Sequence, residues 1–217
     1  MLRKLLVPGA AVILLGGCAS AIQDTYFDMW ESVGVEKREI LVDRVQAAQE
    51  TQQEAQQEFA SALEEFSALL NFDGGELEEV YNNLNDKYES SRDAALDVTN
   101  RINKVQSVAD SLFREWQAEL ELISNANLKR NSQGKLKETQ RKYDSLLKKM
   151  RKVETSMTPV LIALRDNVLY LKHNLNANAV GALQSEFNTI KRDVDLLINE
   201  MNIAISESED FIKSLKT

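Results

Sequence analysis

The sequence predicts an all-α protein, built as an elongated antiparallel four-helix bundle with coiled-coil-like packing of long helices. Three observations predict it. Beyond residue 17 there is one proline, Pro159, and glycine only at Gly34, Gly74, Gly75, Gly134 and Gly181, so little in the chain interrupts a helix. The apolar residues recur in alternating steps of four and three, the period of a coiled-coil seam, and no stretch alternates as a strand would. Three short breaks in that period divide the chain into four segments of similar length, and short connections favour antiparallel neighbours.

The first segment carries Leu41, Val45, Ala48, Gln52, Ala55, Phe59, Ala62, Phe66 and Leu69, and is expected to be helical over about 23–70. Asn71-Phe72-Asp73-Gly74-Gly75 follows, with paired glycines to stop one helix and an Asp73 to Glu76 spacing that can cap the next. The second segment, about 76–124, runs Leu77, Tyr81, Leu84, Tyr88, Ser91, Ala95, Val98, Ile102, Val105, Ala109, Leu112, Trp116, Glu119 and Ile123. Ser124 to Gly134 is rich in Asn and Ser without apolar period and reads as the second connection. The third segment, about 134–174, carries Leu136, Thr139, Tyr143, Leu146, Met150, Val153, Met157, Val160 and Leu164, then shifts by one to Val168, Leu171 and Leu175. Pro159 lies inside it and should kink the helix without ending it, since the seam resumes at once. Asn174 to Asn178 reads as a tight connection, and the fourth segment, about 178–216, runs unslipped from Val180 to Leu215. The period alone leaves open a closed bundle, two splayed hairpins, or a hairpin completed in a homo-oligomer.

Ahead of the helices stands a different kind of segment. Arg3 and Lys4 precede an apolar run from Leu5 to Leu15, too short to span a bilayer, and then Leu15-Gly16-Gly17-Cys18. An aliphatic residue, two small residues and a cysteine form the lipobox of bacterial lipoproteins. Residues 1–17 are therefore expected to be a signal peptide cleaved after Leu15, Gly16 and Gly17, with Cys18 lipidated and 18–217 forming a single elongated domain. Ala19 and Ser20 follow, with no Asp at the position that holds lipoproteins at the inner membrane. The expected location is the outer membrane, facing the periplasm.

A formal net charge of -8 speaks against a general nucleic-acid partner, whose footprint would be basic. Cys18 is the only cysteine and His173 the only histidine, so neither a Cys or His pair for zinc nor a Ser-His-Asp set is present. Neither a cofactor nor a metal is implied, and the expected role is non-enzymatic.

Several stretches resemble a known family. They are Glu31-Ser32-Val33-Gly34-Val35-Glu36-Lys37-Arg38-Glu39-Ile40-Leu41-Val42-Asp43-Arg44-Val45, the Asn71 to Gly75 turn, Phe113 to Trp116, and Leu171-Lys172-His173-Asn174-Leu175-Asn176-Ala177. They are similar to the signature stretches of an uncharacterised bacterial family, classed only as a domain of unknown function, whose members are mostly predicted lipoproteins of Gram-negative bacteria. The resemblance covers essentially the whole chain after Cys18 and implies no activity. Coiled-coil chains of this kind are sometimes labelled DNA-repair ATPases, but there is no GxxxxGK[ST] loop to hold phosphates.

Function must then lie in surfaces. Alternating helices would gather Phe72, Asp73, Gly74, Gly75, His173, Asn174 and Asn176 at the tip far from Cys18, where an envelope protein partner is expected to bind. Lys129, Arg130, Lys135 and Lys137 would lie at the lipid end, set to meet an anionic surface, as the start of a basic run that continues to Lys152. Tyr26, Phe27, Trp30, Phe113 and Trp116 are expected to meet near the same end. The sequence thus reads as a lipid-anchored periplasmic scaffold or partner-binding lipoprotein, with a carrier or chaperone for apolar cargo as the second reading, its cargo surface at Val160 to Leu175.

Overall fold

The helical period is realised as four helices. The structure is a computed structural model and describes residues 37–71 and 77–216, the side chains of 177–179 excepted. The helices are α1 (Lys37–Leu70), α2 (Leu77–Leu122), α3 (Ala126–His173) and α4 (Ala177–Lys216). Their 34, 46, 48 and 40 residues correspond to lengths of about 50 to 70 Å. The part of the first segment expected before Lys37 lies outside the described residues.

The four helices close into a ring in which every neighbour is antiparallel. Between α1 and α2, Ser91 Oγ donates to the Glu58 carbonyl at 3.3 Å. Between α2 and α3, the Arg151 guanidinium donates to Asn103 Oδ1 at 2.8 Å and Gln106 Oε1 at 2.7 Å. Lys152 Nζ meets Glu200 Oε1 at 2.8 Å between α3 and α4. The ring is completed by α4 and α1, where Gln49 Nε2 donates to Glu209 Oε1 and Gln56 Nε2 to Asn202 Oδ1, both at 3.2 Å. The Phe66 and Phe187 rings meet at a tilt on the same pair, their centroids 5.7 Å apart. These α4–α1 contacts exclude splayed hairpins: the chain completes its own core.

The seams are the core. All nine expected positions of α1 are buried, Gln52 included, and on α4 every seam residue from Val180 to Leu215 is buried except the half-buried Phe187. Polar seam members find local partners where they are hydroxyls. Ser208 Oγ donates to the Ala204 carbonyl at 2.8 Å, as Ser91 does to α1, and a small hydroxyl permits close helix approach at little desolvation cost. Aromatics fill one level near the α4 C-terminus, where Phe113 meets Tyr143 edge-on at 5.4 Å and Tyr143 meets Phe211 at 6.2 Å.

Three expectations are corrected. Ser124 to Gly134 is not a long connection, because α2 ends at Leu122 and α3 begins at Ala126. The Asn125 side chain caps α3, accepting from the Asn127 and Leu128 amides at 3.0 and 3.2 Å, so one Asn starts a helix that the others merely tolerate. The C-terminal part of the α2 seam also differs. Glu119 is exposed and Leu112 and Ile123 are half-buried, while Phe113 and Leu120 are buried. A straight helix drifts about 20° per heptad from a strict 3.5-residue period, and the step of four from Ala109 to Phe113 resets the face. Finally, Leu175 is 44% exposed and belongs to no seam, because α3 ends at His173 before reaching it.

Pro159 sits within an unbroken α3. It is exposed, so the Thr155 carbonyl that loses its partner amide stands on the solvent side of the helix.

Candidate functional site

An even number of alternating helices places the α1–α2 and α3–α4 connections together at one end, and the start of α1, the α2–α3 hairpin and the end of α4 together at the other. Each end collects some of the expected site residues.

At the first end, Phe72, Asp73, Gly74 and Gly75 lie outside the described residues. Asn71, which precedes them, is exposed, and its Nδ2 donates to the Ser67 carbonyl at 2.9 Å. Across the end, His173 closes α3 as an exposed residue, and Asn176 is exposed in the connection. Asn174 plays a local part. Its backbone amide donates to the Leu171 carbonyl at 3.0 Å and its side-chain amide to the Tyr170 carbonyl at 2.8 Å, satisfying the last carbonyls of its own helix. Three residues outside the expected set make this end unusual: Leu169, Tyr170 and Leu175 are 47%, 42% and 44% exposed. Ile162 and Leu169 fall on the same outer line of α3 as His173. The signal for Ile162, Leu169 and Tyr170 lies in the sequence, as apolar residues off the seam; Leu175 carries none, since the period places it on the seam. Within Val160 to Leu175, the surface expected for apolar cargo, Val160, Leu164, Val168 and Leu171 are buried in the core, while Ile162, Leu169, Tyr170 and Leu175 are exposed.

The opposite end holds the basic run, which the structure divides. Lys129 is half-buried and paired with Glu121 at 2.9 Å across the hairpin. Lys142 pairs with Glu138 and Arg151 with Glu154, both at 2.9 Å, and Lys152 with Glu200. Arg130, Lys135, Lys137, Arg141 and Lys148 are exposed with no ion pair among the described residues. At 3.6 residues per turn Arg130, Lys137, Arg141 and Lys148 fall within about 20° of one line, a cationic stripe about 27 Å long on the face turned from the core. The outer face of α3 therefore changes from cationic near its start to apolar near its end. At the hairpin, Leu122 is 82% and Leu128 63% exposed, the two highest values among the exposed large apolar residues.

Of the aromatics expected to meet here, Tyr26, Phe27 and Trp30 lie outside the described residues. Trp116 joins three helices: its Nε1–H donates to Ser132 Oγ on α3 at 2.9 Å, and its ring receives the Arg38 guanidinium of α1 at 5.9 Å.

Two titratable groups are perturbed inside the bundle. Burial pushes the Tyr143 phenol above its ordinary value, with Asp110 and Asp144 adding to the shift and Arg151 opposing it. Its hydroxyl is buried without a protein partner, beside an open groove of about 770 Å³ that Asp110, Arg114, Gln117, Gln140 and Asp144 line with charge and amide. Desolvation works to raise the Glu200 carboxyl, but the Lys152 ammonium and the Ser156 hydroxyl outweigh it and hold the group below its ordinary value. Glu200 is thus a carboxylate paired across α3 and α4, whereas Tyr143 is a core phenol whose hydroxyl has no protein partner. Among the described residues no three His, Cys, Asp or Glu side chains gather as a metal site, and no helix is long and apolar enough to cross a membrane.

No curated protein matches the chain. A family model does, over residues 26–215, which takes in α1, α2, α3 and all of α4 but its last residue. The chain belongs to that family, described as a protein of unknown function, DUF2959.

Proposed function

We propose that this protein is a lipid-anchored, non-enzymatic spacer of the cell envelope, held at the outer membrane through Cys18 and presenting a partner-binding tip in the periplasm. The observation that carries the proposal is the exposed apolar group Leu169, Tyr170 and Leu175 beside His173 and Asn176, at the end opposite the start of α1. Exposed apolar side chains close together at one end of the bundle favour a protein contact. The lipobox supports the anchor, and the matched family span begins past it, at residue 26. The carrier reading has less support, since the seams are filled by the chain itself.

Photo-crosslinkers placed at Asn176 and Tyr170 should capture an envelope protein, while one at the exposed mid-bundle Lys104 should not. Equal capture from all three sites would refute a binding tip. Cys18→Ser should release the protein from the membrane fraction; unchanged outer-membrane fractionation would refute the anchor.

A further inference from the structure

The α2–α3 hairpin ends in two leucines that the bundle does not use. Leu122 is the last residue of α2 and Leu128 stands in the first turn of α3, and they are 82% and 63% exposed on either side of a three-residue turn. The turn is not loose. Asn125 caps α3, Lys129 Nζ meets Glu121 across it, and Trp116 bonds Ser132 just behind it. A braced hairpin that holds two large apolar side chains in water needs a reason, because burying each elsewhere would be favourable.

The charge around them supplies the partner. The terminal turns at this end carry Lys37, Arg38, Lys129, Arg130, Lys213 and Lys216 against Glu39, Glu119 and Glu121; Lys129 pairs with Glu121 and Lys213 with Asp210 just inside, at 3.5 Å, while Arg130 is exposed. An excess of cations at one end of a chain of net charge -8 is an asymmetry. Arg130 lies about 6 Å along the axis from the start of α3, within a Debye length of a surface touching the hairpin. Apolar side chains at a protruding point with cations set just behind them match the layered chemistry of an anionic bilayer surface, acyl chains beneath phosphate. α1 begins at this same end, so the N-terminal stretch carrying Cys18 is joined to the bundle here.

We infer that the α2–α3 hairpin is a membrane-docking element, in which Leu122 and Leu128 enter the headgroup region of an anionic lipid surface and Arg130 meets the phosphates. The inference deepens the anchored reading above, but its test does not depend on lipidation. Insertion at this end stands the bundle upright and directs the α3–α4 connection away from the lipid.

The test uses the chain from residue 18 with Cys18→Ser, which leaves no native thiol. A single cysteine is then introduced by Leu122→Cys, Leu128→Cys, Leu175→Cys or Leu196→Cys and labelled with an environment-sensitive fluorophore. Vesicles containing phosphatidylglycerol should shift the emission to the blue and, with brominated chains, quench it at 122 and 128 but not at 175 or 196. Phosphatidylcholine vesicles should give little response. The unlabelled Leu122→Ser/Leu128→Ser variant, both sites exposed and so expected to fold normally by circular dichroism, should bind more than about tenfold more weakly. Unchanged affinity of that variant, equal quenching at all four sites, or a dimer in solution that only the variant abolishes would each overturn the inference, the last by assigning the leucines to a second copy of the chain. Failure here together with membrane retention of the lipidated parent would leave the Cys18 anchor standing.

Discussion

Trp116 and Ser132 are joined by an indole N–H to hydroxyl hydrogen bond of 2.9 Å, sixteen positions apart in sequence, and this bond ties the first turns of α3 back onto α2. With Leu136 as the first fully buried residue of α3, the preceding turns have few apolar contacts to hold them. Ser132→Ala is therefore expected to cost about 1 kcal/mol, the ordinary worth of such a bond. Chemical denaturation measures the loss, and amide exchange should rise across 126–132 and stay unchanged in the middle of α3.

Gly134 lies inside α3, and a Cβ added there meets nothing within 4 Å. Gly134→Ala should raise stability by about 0.5 to 1 kcal/mol, from helix propensity and a less flexible unfolded chain. A shift of the denaturation midpoint to higher urea at unchanged slope is the expected result.

Gln52 is fully buried on the α1 seam, and neither end of its amide meets a protein partner. A buried amide without partners costs about 1 to 3 kcal/mol, and at a seam position such a group specifies register and oligomeric state. Gln52→Met should stabilise the fold against heat by an amount in that range. Sedimentation of the variant should reveal a loss of uniqueness, with a broader mixture of oligomeric species than the parent as concentration rises.

Glu200 has its carboxyl held below its ordinary value by Lys152 and Ser156 against the pull of desolvation. A depressed native value means the unfolded chain takes up the proton first as pH falls. The stabilisation is then complete above the ordinary carboxylate value of 4.5 and fades as pH drops through the lower native value. Glu200→Gln should flatten the fall in melting temperature between about pH 5 and pH 3 and should leave the alkaline side unchanged.

Much of the fold was legible because a seam of period 3.5 speaks for itself. Gln52 and Ser91 belong to the core by position alone, against their polarity, and they are buried. Legibility failed where two effects compete over one or two residues. Leu112-Phe113 and Glu119-Leu120 each offer a register choice, and the drift of a straight helix decides for Phe113 and Leu120. The Asn and Ser residues after Leu122 have weak helix propensity, and a cap at Asn125 with the Trp116 bond overrules it. At the ends, composition misled in both directions. Asn174 resembled a site residue and serves its own helix, while Leu175 was assigned to the core and is exposed. Residues beside a chain reversal cannot be sorted into seam or surface until the last turn of the helix is known.

The closed ring of antiparallel helices has a mechanical consequence. The start of α1 and the end of α4 lie side by side at one end, so a force pulling those two points apart would peel α1 from α4 one core level at a time, beginning at the loaded end. A force applied between the start of α1 and the α3–α4 connection acts along the helices instead. It must shear every level at once, and the interlocked side chains from Leu41 to Leu69 would resist together. The same molecule is thus weak as a clasp and strong as a strut, and the direction of load decides which it is.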